Sequence, residues 1–341
     1  MKIKKYVLEW HDSEKNTGGI KAKQDVITFL KKDGFEPVKV PATKIGKVWA
    51  SLLSKIILGR LEKGVILIQY PSGKPFLRKK WLYAACKNKK LKVIVLIHDL
   101  ESIRFYNDIK YSGKRKKEFD FLNRADGLIA LNNKMKTLLK NDGVDIPIVS
   151  LEAWDYENQY PLINRQNYNG DLCYAGNLKK SSFLSKLRSR TVIRVFGPNP
   201  EMSFPKSVKY MGQFSPQELP SHLNADFGLV WDGTSVETCE GMYGQYLKYN
   251  DPHKFSLYIS SGLPVIVWEH AAIADFVRAN NIGLTIDSLT NIDSLISSIS
   301  QTKYMELQSN VKKIAFQMRK GHYLITAVNS LILKLSKMNI K

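Results

Sequence analysis

The segment Asn250-Asp-Pro-His-Lys254 holds the residue types that bind an anion at the start of a helix. Asp251 is a favourable N-cap, and Pro252 suits the first helical position, where its missing N–H costs nothing. His253 and Lys254 then fall in the first turn, at the positive end of the helix dipole, where a cation is disfavoured by about 0.3–1 kcal/mol. A lysine kept there has a use if an anion such as a diphosphate docks on the open N–H groups. The alternative is that Asp251 balances Lys254 and the two are only surface charge. Thr17-Gly18-Gly19 is a second candidate, because glycines let a backbone approach a phosphate closely; it also reads as a plain turn. His98-Asp99 follows a β-branched run. Asp99, with His98 and His11 behind it, has the chemistry of a general base. The same pair would equally cap the next helix and hydrogen-bond a hydroxyl-bearing ligand.

Other chemistries are disfavoured. No Asp-x-Asp pair is present to hold a divalent cation, so no metal site is expected. Cys86, Cys173 and Cys239 are odd in number and far apart, which fits neither a disulfide framework nor zinc. Reduced cysteines in the cytoplasm are the simpler reading. Lysine and arginine number 52 against 31 acids, a net charge of +21 that attracts nucleic acid, anionic lipid or phosphorylated ligands. No zinc-finger spacing, aromatic-basic signature or helix-turn-helix supports nucleic acid. No apolar run approaches the roughly 20 residues that span a bilayer. No amphipathic anchor stands out either, so membrane contact is expected to be peripheral at most.

The elements that must position these groups come in two series. Strand-like runs at 5–10, 65–69, 93–98, 127–131 and 146–150 alternate with helical stretches at 20–32, 76–87, 115–123 and 134–141. The stretch 152–169, rich in Trp, Tyr, Asn and Pro, breaks the rhythm. Alternation then resumes with strands at 172–175, 192–196, 208–211, 228–231, 264–268 and 283–286. Helices are expected after Asn177 through Arg190, over 216–225, 252–261 and 272–280, and as one long helix over 311–338. The chain thus reads as α/β with two Rossmann-like domains: 1–155, a linker 156–170, 171–315, and a C-terminal helical segment 316–341. Ligands of such sheets bind at the carboxyl ends of strands.

Asn250-Asp-Pro-His-Lys254 followed by Ser261-Gly-Leu-Pro-Val-Ile266 resembles the donor-binding region of GT-B glycosyltransferases. Tyr174-Ala-Gly-Asn-Leu-Lys-Lys180 resembles the Gly loop that opens their second domain. Tyr210-Met-Gly-Gln-Phe214, then 216–223 and Ala225-Asp-Phe-Gly-Leu-Val230, resembles the elements that follow. In the first half, Asn16-Thr-Gly-Gly19 is similar to the loop that closes on the diphosphate. Ile97-His-Asp-Leu-Glu-Ser-Ile-Arg104 is similar to a stretch of galactofuranosyltransferase-like members. The match is best to the glucosyltransferases of Gram-positive bacteria that extend GlcNAc on serine-rich repeat adhesins.

The resemblance implies two domains facing across a cleft, with the last helix crossing back to the first domain or entering an oligomer interface. It implies a hexose, glucose in the first instance, moved from a UDP-sugar co-substrate to a GlcNAc-bearing glycoprotein. It implies no metal or other cofactor, and a homo-oligomer such as a tetramer. Lys254, the Asn250–His253 helix start, Lys179, Lys180 and Thr17–Gly19 would share the diphosphate, while Asn177 and Tyr210 would contact base or phosphates. The two glutamates that many retaining members carry around this helix correspond here to Tyr249 and Leu257, which leaves inverting versus retaining chemistry open. Rival readings are a lipid-linked-sugar transferase at the membrane surface, a nucleotide-sugar epimerase, and a non-catalytic partner subunit.

Overall fold

The computed structural model describes residues 3–10, 18–41, 46, 48–105 and 112–338. The chain divides into two compact units: Met1–Lys15, Lys23–Leu151 and Tyr323–Lys341 form the first, and Asn16–Ala22 with Glu152–His322 the second.

The first unit holds strands β1 (Lys4–Glu9), β2 (Glu36–Lys39), β3 (Gly64–Tyr70), β4 (Leu91–Ile97), β5 (Gly127–Ala130) and β6 (Ile148–Ser150). All neighbours pair in parallel, in the order β2-β1-β3-β4-β5-β6. β3 is buried along its whole length and β4 nearly so. Their unbroken Val/Ile/Leu runs are what a parallel sheet covered on both faces requires. The last helix, His322–Met338, falls within this unit. It buries Leu324, Ala327, Val328, Leu331 and Leu335, a helical repeat of apolar positions.

The second unit repeats the plan with β7 (Leu172–Ala175), β8 (Ile193–Phe196), β9 (Val208–Tyr210), β10 (Phe227–Val230), β11 (Val265–Trp268) and β12 (Gly283–Ile286). Their order is β12-β11-β10-β7-β8-β9, again all parallel. Strand order reverses between β7 and β10 here, and between β1 and β3 in the first unit. Those are the crevices where ligands of doubly wound sheets bind.

Several expectations need correction. Residues 156–170 are no linker: the segment folds into the second unit, with Ala153, Trp154, Asp155, Tyr156 and Asn158 buried. Tyr156 Oη donates to Pro216 O at 2.9 Å. Arg165 pairs with Asp171 at 2.8 Å and with the fully buried Asp226 at 3.0 Å. Asp226 also accepts the backbone N–H groups of Asn169 and Gly170. Aromatic and Asn content marked an irregular segment, but irregular backbone is stable when its polar groups are paired. The expected helix over 311–338 is two, Gln301–Met318 and His322–Met338, broken at Gly321, whose φ of 78° leaves the helical region. The stretch after Asn177 is a 3₁₀ turn, Leu178–Lys180, and a short helix, Phe183–Lys186, rather than one helix to Arg190. Of 216–225 only Leu219–His222 is helical. Strand β2 and helices Ala50–Gly59 and Gly241–Tyr246 carry no pattern that marks them in the sequence.

One close approach joins helix His253–Ser260 to the sheet. Tyr258 lies across Gly228 of β10 so tightly that a Cβ there would overlap its ring. The Tyr258 hydroxyl accepts the Ala175 N–H at 2.7 Å, fixing the end of β7. Gly228→Ala is therefore expected to destabilise the second unit by about 1–3 kcal/mol, the usual cost of overpacking. Thermal unfolding checks this, and an unchanged midpoint would refute the packing argument.

Candidate active site

Helix His253–Ser260 starts one residue later than the sequence suggests: the cap position is Pro252, with φ −69° and ψ 133°, not Asp251. Proline's ring holds the extended entry, and Pro252 itself offers no side-chain cap, so the helix start depends on other groups for its N–H donors. Asp251 is buried, and Asn250 is half-buried with an Oδ1 that has no hydrogen-bond partner.

Lys254 extends from this first turn to the carboxyl ends of β7 and β10, the strand-order reversal of the second sheet. Its Nζ donates to Asp232 Oδ1 at 2.7 Å, to Tyr174 Oη at 2.8 Å and to Trp231 O at 3.2 Å. It also lies 4.2 Å from the centre of the Tyr174 ring. The counter-ion is thus Asp232 and not Asp251, which corrects the surface-charge alternative: the pair is 11% and 19% exposed, well removed from bulk water. Tyr174 donates to Asp232 at 2.9 Å and also hydrogen-bonds Ser181. Burial, with the Asp232 charge adding, holds the Tyr174 phenol well above its usual pKa, so it stays protonated. Gly176 lies against the ammonium; a Cβ there would come within 3.6 Å of Nζ.

The loop after β10 makes this possible. Gly233 adopts φ +118°, and a Cβ there would strike the backbone of Glu240, so the chain turns back over Asp232. Gly233 N donates to Lys180 O at 3.1 Å, tying this loop to the one after β7. Asn177 caps the 3₁₀ turn by accepting Lys179 N at 3.2 Å, and also accepts Asn199 Nδ2 at 2.9 Å. Lys179 is exposed, while Lys180 lies 4.4 Å from the Tyr243 ring centre. Tyr210, at the end of β9, donates to Gly197 O at 3.0 Å and stays exposed.

His253 is a different kind of residue. Its ring lies 4.8 Å from that of Tyr156, and its buried Nε2 has no hydrogen-bond partner. Lys21 is 4.5 Å from the other aromatic of this pair, Tyr156, and donates to Glu157 O at 2.9 Å. Burial, with Lys21 adding, pushes the imidazole pKa down to about 3. A neutral ring is a packing and hydrogen-bonding group, not a phosphate counter-ion. Gly18 and Gly19 are the first residues of helix Gly18–Lys32 rather than a loop, and a Cβ on Gly18 would come within 3.9 Å of His253 Nδ1. Thr17 and His11 lie outside the described residues.

In the first unit, His98 and Asp99 follow β4, one strand beyond the β1–β3 reversal. His98 Nε2 is 2.8 Å from Gln69 Oε1, and Asp99 pairs with Arg104 at 2.6 Å. The start of the next helix, Glu101–Phe105, is capped by Glu118, which accepts Glu101 N at 2.9 Å and Ser102 N at 2.8 Å. Glu118 therefore takes the capping part that the sequence offers to His98-Asp99.

Tyr174, Ser181 and Asp232 are the site residues that the sequence reading passed over. Asp232 had a usable signal: it comes two residues after β10, in the position where strand-end chemistry is sought. Its partnership with Lys254, 22 residues away, exists only in three dimensions.

Depressed as it is, the His253 pKa stabilises the fold above the unfolded imidazole value near 6.5, and that stability is lost as pH falls from there towards 3. His253→Phe should therefore flatten the acid side of the stability–pH curve, measured by denaturant unfolding from about pH 7 to pH 4. An unaltered slope would show that another group carries the acid dependence.

Family models of the glucosyltransferase 3-like N-terminal and C-terminal domains match residues 4–153 and 172–331. The beta-1,6-galactofuranosyltransferase WbbI of Escherichia coli (strain K12) is 30% identical over 93% of this chain and 95% of its own length. Glucosyltransferase 3 of Streptococcus gordonii is 25% identical over 89% of this chain and 90% of its own. Among solved structures, an alpha-glucosyltransferase in complex with UDP and a 13-mer DNA superposes with a TM-score of 0.56 at 11% identity, covering 97% of this chain and all of that one. Two parallel α/β sheets of six strands and family matches to both halves lead to one conclusion: the chain belongs to the glucosyltransferase 3-like family of GT-B glycosyltransferases.

Proposed function

We propose that this glycosyltransferase moves a hexose, with glucose the first candidate, from a UDP-sugar to a GlcNAc-bearing glycoprotein in the cytoplasm, without a metal ion. The carrying observation is the Lys254 ammonium at the β7–β10 reversal, beside the start of helix His253–Ser260. Departure of a nucleoside diphosphate builds negative charge on its outer phosphate, and a fixed cation with helix N–H groups stabilises that charge as it grows. Asp232, Tyr174 and Trp231 O occupy the three ammonium protons, so a phosphate oxygen must take the place of one of them. Tyr174 and Ser181 keep the lysine aimed while it does so. Lys179, Lys180, Asn177 and Tyr210 supply the rest of the donor contacts, with Gly18 close to His253 and Gly19 beside it in sequence. Asp99 and His98 are assigned to the acceptor hydroxyl, Asp99 as the base. Glucose is supported by the family's name and galactofuranose by the WbbI match, so both UDP-sugars belong in the donor screen.

Lys254→Ala removes a charge-assisted contact worth about 1.5–3 kcal/mol, so UDP-glucose should bind roughly ten- to hundredfold more weakly. Calorimetric titration measures it, and wild-type affinity in the variant would remove Lys254 from the phosphate. Glucose transfer to a GlcNAc-peptide, or to a lipid-linked sugar in a second arm, should proceed at full rate in excess EDTA. Loss of turnover that added magnesium or manganese restores would overturn the metal-independent reading.

A further inference from the structure

Residues 41–90 contain twelve lysines and arginines and one acid, Glu62, an excess that is over half of the chain's +21. Glu62 is itself drawn to Lys4, at 4.0 Å. Within this stretch, helix Ala50–Gly59 buries Ala50, Ser54 and Leu58 and turns its other side to water. Val48 is 78% exposed, Trp49 56%, Leu52 49% and Ile56 40%. Positions 49, 52 and 56 recur on one helical stripe, opposite the buried one, and the exposed Lys55 borders it. The helix packs against Pro75–Lys87, and Asn88 Nδ2 ties the pair by donating to Leu58 O at 2.8 Å. The second helix adds Phe76, 58% exposed, with Lys80 Nζ 5.5 Å from its ring centre and Lys79 exposed alongside.

Large apolar side chains gathered on one water-facing stripe mark an interaction surface. Lysines almost without carboxylates make its partner anionic. Trp49 and Phe76 offer rings to a base, but Val48, Leu52 and Ile56, which make up the rest of the face, do not. Aliphatic and aromatic side chains bordered by lysines instead match the head-group boundary of a bilayer. We propose that this face of the first unit docks on an anionic membrane surface, with Trp49, Leu52, Ile56 and Phe76 entering the head-group boundary and the surrounding lysines pairing with lipid phosphates. This helix supplies the amphipathic anchor that no apolar pattern in the sequence marks. The proposal stands on the first unit alone and is independent of the donor site.

The test is sedimentation of the full chain with vesicles of phosphatidylglycerol and phosphatidylcholine in equal parts, against vesicles of phosphatidylcholine alone. Binding should be roughly tenfold or more stronger to the anionic vesicles and should fall at high salt. Trp49 is far more exposed than the buried Trp81, Trp154, Trp231 and Trp268, so vesicles should shift tryptophan emission to the blue in wild type and not in Trp49→Phe. The double variant Trp49→Glu/Leu52→Glu should lose vesicle binding while keeping wild-type UDP-glucose affinity, which shows that it folds. No binding to anionic vesicles, or undiminished binding by the double variant, overturns the proposal. So does a wild-type oligomer that the double variant dissociates without any change in vesicle binding, since the face then belongs to a second copy.

Discussion

One buried ammonium, Lys254, organises the crevice of the second unit. A charge so far from water is tolerated only when its protons are paired, and the structure pairs them with a carboxylate, a phenol and a carbonyl from β7 and the loop after β10. Each partner brings its own requirement. Asp232 needs the tight reversal at Gly233, Tyr174 needs the end of β7 held by Tyr258, and Tyr258 needs a residue without a side chain at Gly228. The far end of the helix is held as well, because Ser260 O accepts from Asn158 at 3.2 Å and from Arg319 at 2.7 Å. Those donors meet the negative end of the helix dipole, while its positive end is left beside Lys254.

This arrangement separates the two cations of the first turn. His253 and Lys254 are adjacent in sequence and look like a matched pair for an anion. Burial keeps His253 neutral, its ring tilted against that of Tyr156, while Lys254 retains a counter-charge at hydrogen-bond distance. The Lys254–Asp232 pair is close to neutral as a unit. In the proposed donor site, a diphosphate would draw on the helix start, Lys179 and Lys180, with Lys254 changing partners as phosphate arrives.

The charge of the chain is also unevenly used. Much of the +21 lies in one stretch of the first unit, around helices Ala50–Gly59 and Pro75–Lys87, whereas two buried acids of the second unit serve internal pairing. Asp171 and Asp226 draw in Arg165 and Arg194 and fasten a segment whose composition suggests a linker.

All six strands of the second sheet and five of the first were legible in the sequence, because buried strands need unbroken apolar runs and glycine or proline stops whatever their neighbours. The short edge strand β2, with two of its four residues exposed, lacks such a run. Helix 253–260 was legible for a similar reason: Pro252 and Gly262 act on the backbone locally. What lay beyond local pattern was pairing. Asp232 and Lys254 are 22 residues apart, Tyr174 and Lys254 80 apart, and nothing in either segment announces the other. Helix Ala50–Gly59 was missed because it is apolar on nearly every side, so no polar face revealed its period. The sequence by itself determined most of the strands, their order and the lysine at the helix start. Only the tertiary structure decided which carboxylate holds that lysine and that its histidine neighbour is neutral, because counter-ion choice and desolvation depend on what folding brings within a few ångströms.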